Sequence, residues 1–265
     1  MPHRYVVLVP IKTSPQAKSR LAAGSFGPAA MQAFARDAIA SAKRSPWVDE
    51  VVIVSQDKLD LGQGAWLPDS GGGLNTALIQ AQKRLMITHP DHGFLAMLGD
   101  LPCLLTAELD AALVFGQDHA RWFVADHHQS GTTMLGAAPG VGLGPIFGPN
   151  SATAHLASGA VPCNLTINSA RLDIDTPDDL RAAQALGVGA HTARALEPDK
   201  ALGAGDSRQP APNEGNCLGL LGWSLLGWAF LAGAFLAGAF LAGAFLAGAF
   251  LAGAFLAGAF LTGAS

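Results

Sequence analysis

Residues 94–102 read Phe94-Leu95-Ala96-Met97-Leu98-Gly99-Asp100-Leu101-Pro102. Five apolar residues in succession, followed at once by glycine, aspartate and proline, describe a buried strand with a turn at its end. Asp100 then falls just past the strand's carboxyl end, the place where open α/β sheets take their ligands.

The flanking sequence alternates in the same style. Strand-like runs cover residues 5–9, 50–55, 94–98, 122–125, 134–137 and 164–167, and helical patterns cover 29–43, 74–86, 107–114, 152–156 and 177–186. Such alternation predicts an α/β domain with a mainly parallel sheet and helices on its faces.

A second acidic segment, Asp173-Ile174-Asp175-Thr176-Pro177, carries aspartates two apart. On an extended segment both side chains point to one side and can share a cation. Thr176-Pro177-Asp178-Asp179 reads as a helix start, with a hydroxyl cap, proline at the first position and acid in the first turn. Asp173 and Asp175 are therefore expected at a strand-to-helix corner. With Asp100 they suggest a metal-dependent nucleotidyltransferase site.

Several loops offer groups for phosphate. Lys12, Lys18 and Arg20 bring three cations to the polar stretch after the first strand, where a triphosphate would approach. Gly71-Gly72-Gly73-Leu74-Asn75 opens a helix, and glycines let backbone amides come close to an anion or a base edge. In Phe147-Gly148-Pro149-Asn150-Ser151, Ser151 is expected to cap the next helix, beside amides that can hold an anion. The segment 126–133 contains His127 and His128, but adjacent histidines on a loop are expected to point apart and lack a third ligand. Thr132 and Thr133 are the better candidates there, as short donors to a phosphate or carboxylate. His155 reads as a packed surface histidine.

Composition narrows the partners. A formal charge of -4 over 265 residues, with no basic block, argues against nucleic acid and favours small anionic substrates. Cys103, Cys163 and Cys217 are widely spaced and suggest neither a disulfide framework nor a zinc site. A reducing, cytoplasmic setting is expected for the catalytic part, because the first apolar run, residues 5–9, is too short for a signal peptide and reads as a strand.

Organisation follows from shifts of composition: a nucleotidyltransferase domain over 1–188, a flexible Gly/Ala/Pro-rich linker over 189–216, and an apolar tail over 217–265. From Ala229 the tail repeats Ala-Phe-Leu-Ala-Gly in tandem, ending in the variant Ala259-Phe260-Leu261-Thr262-Gly263. As one helix, residues 218–264 would run about 70 Å against a hydrocarbon core of about 30 Å, enough for a membrane hairpin. A functionless expansion and a β-solenoid are the other readings of the repeat.

Taken in order, Pro10-Ile11-Lys12, Ala17-Lys18-Ser19-Arg20-Leu21, Gly73-Leu74-Asn75, Gly99-Asp100-Leu101-Pro102, Gly131-Thr132-Thr133, Phe147-Gly148-Pro149-Asn150-Ser151 and Asp173-Ile174-Asp175-Thr176-Pro177 resemble the coenzyme F420 guanylyltransferases, the CofC/FbiD family, over about residues 5–187. The resemblance implies a Rossmann-like fold of the nucleotide-diphospho-sugar-transferase type, akin to the molybdopterin guanylyltransferases. It implies transfer of GMP from GTP to phosphoenolpyruvate, 3-phospho-D-glycerate or 2-phospho-L-lactate. Asp100, Asp173 and Asp175 would hold magnesium, as two ions, and Thr132, Thr133, Gly148 and Ser151 would meet the acid. Lys12, Lys18, Arg20, Gly73 and Asn75 would fall to GTP, with Lys18 also counted among the catalytic groups. Two departures stand out: Asn150 replaces a usual glycine, and His127, His128 and Gln129 replace arginine and glycine. A molybdopterin or sugar-phosphate nucleotidyltransferase and a non-catalytic, membrane-tethered nucleotide-binding protein remain as alternatives.

Overall fold

The computed structural model describes residues 2–11, 27–62 and 64–197. The loop with Lys12, Lys18 and Arg20, most of the expected linker and the whole apolar repeat lie outside the described residues.

Among the described residues, strands β1 (Tyr5–Pro10), β2 (Val48–Ser55), β3 (Ala65–Pro68), β4 (Gly93–Met97), β5 (Arg121–Ala125), β6 (Thr132–Ala137) and β7 (Val161–Pro162) form one sheet, ordered β3-β2-β1-β4-β6-β5-β7. β3, β2, β1 and β4 run parallel, β6 opposes both of its neighbours, and β7 lies parallel to β5. The helices are α1 (Pro28–Arg44), α2 (Leu74–Leu85), α3 (Thr106–Gly116), α4 (Ser151–Ala157), α5 (Asn168–Arg171), α6 (Pro177–Leu186) and α7 (Ala190–Leu196).

The continuous apolar strands have a direct cause. Val7 and Val9 of β1, with Leu95 and Met97 of β4, pack with Ile39 of α1 and Leu109 and Leu113 of α3. The alternate residues Val6, Leu8, Phe94 and Ala96 pack with Leu78 of α2 and Ala152 of α4. Both faces of the central strands are covered, so neither set of side chains is polar. Each fully buried Leu or Phe in these layers contributes on the order of 2 kcal/mol. Trp122 of β5, wholly buried, needs two glycines: a Cβ on Gly136 or Gly116 would lie 2.2 Å from its indole.

Some expectations shift. The strand expected at 164–167 forms earlier and shorter, as β7, because Val161 and Pro162 are the residues opposite Trp122 and Phe123. Asn164, Leu165 and Thr166 are exposed, and only Ile167 turns into the core. β3 has no counterpart among the expected strands. It lies at the sheet edge, is half-exposed and ends in proline, so it lacks an apolar signature. The helix α7 occupies the start of the stretch expected to be linker, and the folded chain thus runs past residue 188. Asp37 of α1, buried, accepts from the His191 N–H at 3.1 Å and the Thr192 N–H at 2.7 Å, capping α7 from a distant part of the sequence. No described helix is long and apolar enough to cross a membrane.

Candidate active site

β4 delivers Asp100 three residues beyond its last residue, Met97. The returning chain is tied there by the Ile174 N–H, which donates to the Asp100 carbonyl at 3.1 Å. Ile174 is wholly buried beside Phe34 and Leu180, so its neighbours Asp173 and Asp175 turn the other way. One carboxylate oxygen from each of Asp100, Asp173 and Asp175 lies within 4.8 Å of the others.

Among the described residues the trio has one nearby group able to carry positive charge, His127, whose Nδ1 is 3.7 Å from Asp173 Oδ1. Asp100 Oδ1 is sealed from solvent and has no hydrogen-bond partner. Burial, and then the charges of Asp173 and Asp175, push the Asp100 carboxyl up to about 8. Burial and then Asp175 push Asp173 up to about 6. A buried oxygen without a partner in a cluster of carboxylates is the environment a hard divalent cation satisfies. The corner itself is firm. Thr176 and Asp179 form a reciprocal capping box at the start of α6, as the sequence predicts.

The loop leading into α4 carries the expected acid-binding residues Gly148 and Ser151. Gly148 takes φ 147° and Asn150 takes φ 57°, the latter a left-handed conformation that asparagine tolerates better than most residues. Asn150 is the N-cap, with no side-chain capping bond, and Ser151 is the first helical residue. The cap expected at Ser151 is therefore displaced by one position, and its side chain is buried. Asn75 reaches across from α2: its Nδ2 donates to the Phe147 carbonyl at 3.1 Å, and its Oδ1 accepts from the Phe147 N–H at 2.8 Å.

His155 is completely buried, contrary to the surface position expected for it. Its Nε2 accepts from the Ile146 N–H at 2.9 Å, which places the ring proton on Nδ1, 2.9 Å from Thr132 Oγ1. Burial and the nearby Arg121 charge lower its pKa to about 4, so the ring is neutral at ordinary pH. Thr133 Oγ1 donates to the Ala170 carbonyl at 2.7 Å. Both threonine hydroxyls are thus engaged inside the fold.

Three successive glycines, Gly71, Gly72 and Gly73, have φ of 94°, 89° and 90°, a run that side chains resist. Gly73 is the N-cap of α2. Asn75 is placed beside this turn, yet both ends of its amide are held by Phe147 rather than turned to a nucleotide.

The two loop histidines do not point apart. Their ring centroids are 3.8 Å from each other, and Asp179 supplies the third group that the sequence did not offer. His127 Nε2 is 3.1 Å from Asp179 Oδ1, and its Nδ1 is 3.7 Å from Asp173 Oδ1. The loop is shaped by Asp126, whose carboxylate accepts from the Ser130 N–H at 2.9 Å and the Gly131 N–H at 2.7 Å. Sequence reasoning gave no role to Asp126 and only a capping role to Asp179. An Asp just past a strand, followed by Ser130 and Gly131, was the available signal for the former, because aspartate side chains bond nearby backbone N–H groups in turns.

The chain is 43% identical over 206 residues to a phosphoenolpyruvate guanylyltransferase of Streptomyces scabiei, a match covering 72% of this chain and 95% of that protein. This chain belongs to the phosphoenolpyruvate guanylyltransferase family. The enzyme of that name from Thermomonospora curvata is 40% identical over 196 residues, covering 71% of this chain and 86% of its own. No protein-family model matches. Among solved structures, a 4-diphosphocytidyl-2C-methyl-D-erythritol synthase is similar with a TM-score of 0.47 and 16% identity, over 69% of this chain and 99% of that one.

Proposed function

We propose that this chain joins GMP from GTP to phosphoenolpyruvate, with 3-phospho-D-glycerate and 2-phospho-L-lactate as the related acceptors, and releases pyrophosphate as a step in coenzyme F420 biosynthesis. The observation that carries the reading is the cluster of Asp100, Asp173 and Asp175 at the carboxyl end of β4, in a chain 43% identical to a phosphoenolpyruvate guanylyltransferase.

The reaction asks little covalent chemistry of the protein. A phosphate monoester has a second pKa near 6 and is already largely dianionic at neutral pH, so its oxygen can attack the α-phosphorus of GTP without a protein base. The new bond joins that oxygen to the α-phosphorus, the bond from the α-phosphorus to the bridging oxygen breaks, and pyrophosphate leaves with the electron pair. Charge neutralisation and alignment are what remain. Asp100, Asp173 and Asp175 would hold magnesium, as two ions. Bound there, magnesium would neutralise the two polyanions and polarise the reacting phosphate.

The other groups bind and orient. The turn Gly71–Gly73 and the cations Lys12, Lys18 and Arg20 would receive the triphosphate. Gly148 and Ser151 would cradle the acid at the start of α4, in a turn closed by the Ser151 N–H, which donates to the Gly148 carbonyl at 3.2 Å. Thr132 and Thr133 would act by fixing that wall of the site, through His155 and the Ala170 carbonyl, and Asn75 would act through Phe147.

The test is pyrophosphate release by the full-length chain with GTP and magnesium, offering the three acids separately. Release that requires one acid, and that is abolished by Asp100→Ala or Asp173→Ala in a folded protein, supports the proposal. Silence with all three acids, or full activity in either variant, overturns it.

A further inference from the structure

We infer that His127, His128 and Asp179 form a second cation site, separate from the carboxylate trio and suited to a borderline divalent metal such as Zn2+ or Co2+. The inference goes beyond guanylyl transfer and does not depend on it.

One ring nitrogen from each histidine and one carboxylate oxygen of Asp179 lie within 4.8 Å of one another. Two imidazoles and a carboxylate make a donor set for zinc, cobalt or nickel, whereas the all-carboxylate trio suits magnesium. Two of the three ligands are already oriented by their surroundings. Asp179 uses Oδ2 to accept from the Thr176 N–H at 2.7 Å, the Thr176 hydroxyl at 2.8 Å and the Asp175 N–H at 3.2 Å. That leaves Oδ1 directed at His127 Nε2, 3.1 Å away. The opposite nitrogen of His127, Nδ1, faces the Asp173 carboxylate at 3.7 Å. A carboxylate behind a histidine whose other nitrogen meets the metal is the usual outer-shell arrangement, and it fixes both tautomer and ring orientation.

The surroundings are consistent with a site that has an open position. His127 and Gln129 line a groove of about 800 Å³ together with Asn164, Leu165, Arg171 and Leu186. The backbone is held independently of any ion: the His127 N–H donates to the Arg171 carbonyl at 2.9 Å. A metal here would staple the loop after β5 to the first turn of α6.

The experiment uses the full-length chain, stripped with chelator and then supplied with excess magnesium to fill the carboxylate trio. Zn2+ is titrated by calorimetry and Co2+ by visible absorption. One further equivalent is expected, with a cobalt d–d band. His128→Ala should weaken it more than about tenfold and leave magnesium-dependent pyrophosphate release in place. Asp100→Asn should leave the added equivalent unchanged. The inference is overturned if no equivalent binds under excess magnesium or if His128→Ala binds as tightly as the unaltered chain. It is equally overturned if Asp100→Asn abolishes the uptake while His128→Ala preserves it.

Discussion

Asn75 holds the backbone of Phe147 from both sides, donating to its carbonyl at 3.1 Å and accepting from its N–H at 2.8 Å. The first turn of α2 thereby sets where the loop toward Ser151 begins. Asn75→Ala leaves both backbone groups without this partner, at a cost of about 1–3 kcal/mol for each one that water does not reach. The expected result in steady-state kinetics is a rise of about tenfold in the KM for the phosphorylated acid, equivalent to about 1.4 kcal/mol, with the KM for GTP nearly unchanged. A change confined to GTP would instead assign Asn75 to the nucleotide.

His155 joins Thr132 to Ile146 from inside the protein, using both ring nitrogens. His155→Phe fills a similar volume but strands the Ile146 N–H and the Thr132 hydroxyl, so urea denaturation at pH 7 should show a loss of about 1–3 kcal/mol. The unaltered chain should also weaken on acidification. Its folded-state imidazole pKa is depressed to about 4 from the ordinary value of 6.5, so the stability from keeping this ring neutral is complete above 6.5 and declines as pH falls toward 4. The phenylalanine variant should lack that part of the pH dependence. Equal acid sensitivity in both chains would refute the burial argument.

The parts of this protein that could be read from its sequence are those where one physical demand acts on neighbouring residues. The apolar run 94–98 is continuous because β4 is buried on both faces, and Asp173 and Asp175 share a side because Ile174 between them is anchored in the core. The capping box at Thr176 and Asp179 is likewise local. What escaped is what depends on distant partners. β3 exists because β2 offers it an edge, and α7 because Asp37, more than 150 residues earlier, caps it. The site follows the same division. The carboxylate trio was legible, whereas the burial of His155, the grip of Asn75 on Phe147 and the approach of Asp179 to His127 arise only when separate segments meet.

Asp100 sets function against stability. Among the described residues its Oδ1 is buried without a partner, beside two other carboxylates. At pH 9, above the raised Asp100 pKa of about 8, Asp100→Asn removes one like charge and supplies a donor, so the variant without divalent cations should there melt above the unaltered chain, by roughly 2–4 °C for each kcal/mol regained. It should also lose guanylyl transfer by a hundredfold or more, about 3 kcal/mol in the barrier. Calorimetric melting in chelator, paired with pyrophosphate release, reads both effects. A variant that is inactive and also less stable would mean that Asp100 is chiefly structural.

The same carboxylates make the effect of magnesium depend on pH. Asp100 and Asp173 have folded-state pKa values raised to about 8 and about 6, above the ordinary carboxyl value of 3.8: burial and the charges of Asp173 and Asp175 raise Asp100, and burial and the Asp175 charge raise Asp173. An acid with a raised pKa binds more protons folded than unfolded, so the metal-free protein loses stability as pH climbs from about 4 to about 8. A cation that pairs with the ionised carboxylates must displace those protons, and the displacement becomes easier as pH rises. The increase in melting temperature on adding magnesium should therefore be larger at pH 8 than at pH 6, and calorimetry at pH 6 should register proton release that shrinks by pH 8. A magnesium shift independent of pH would show that the trio is not where the ion binds. Repeating the series with Asp100→Asn separates the two contributions: the variant should retain only the part of the pH dependence that centres near 6, where Asp173 titrates.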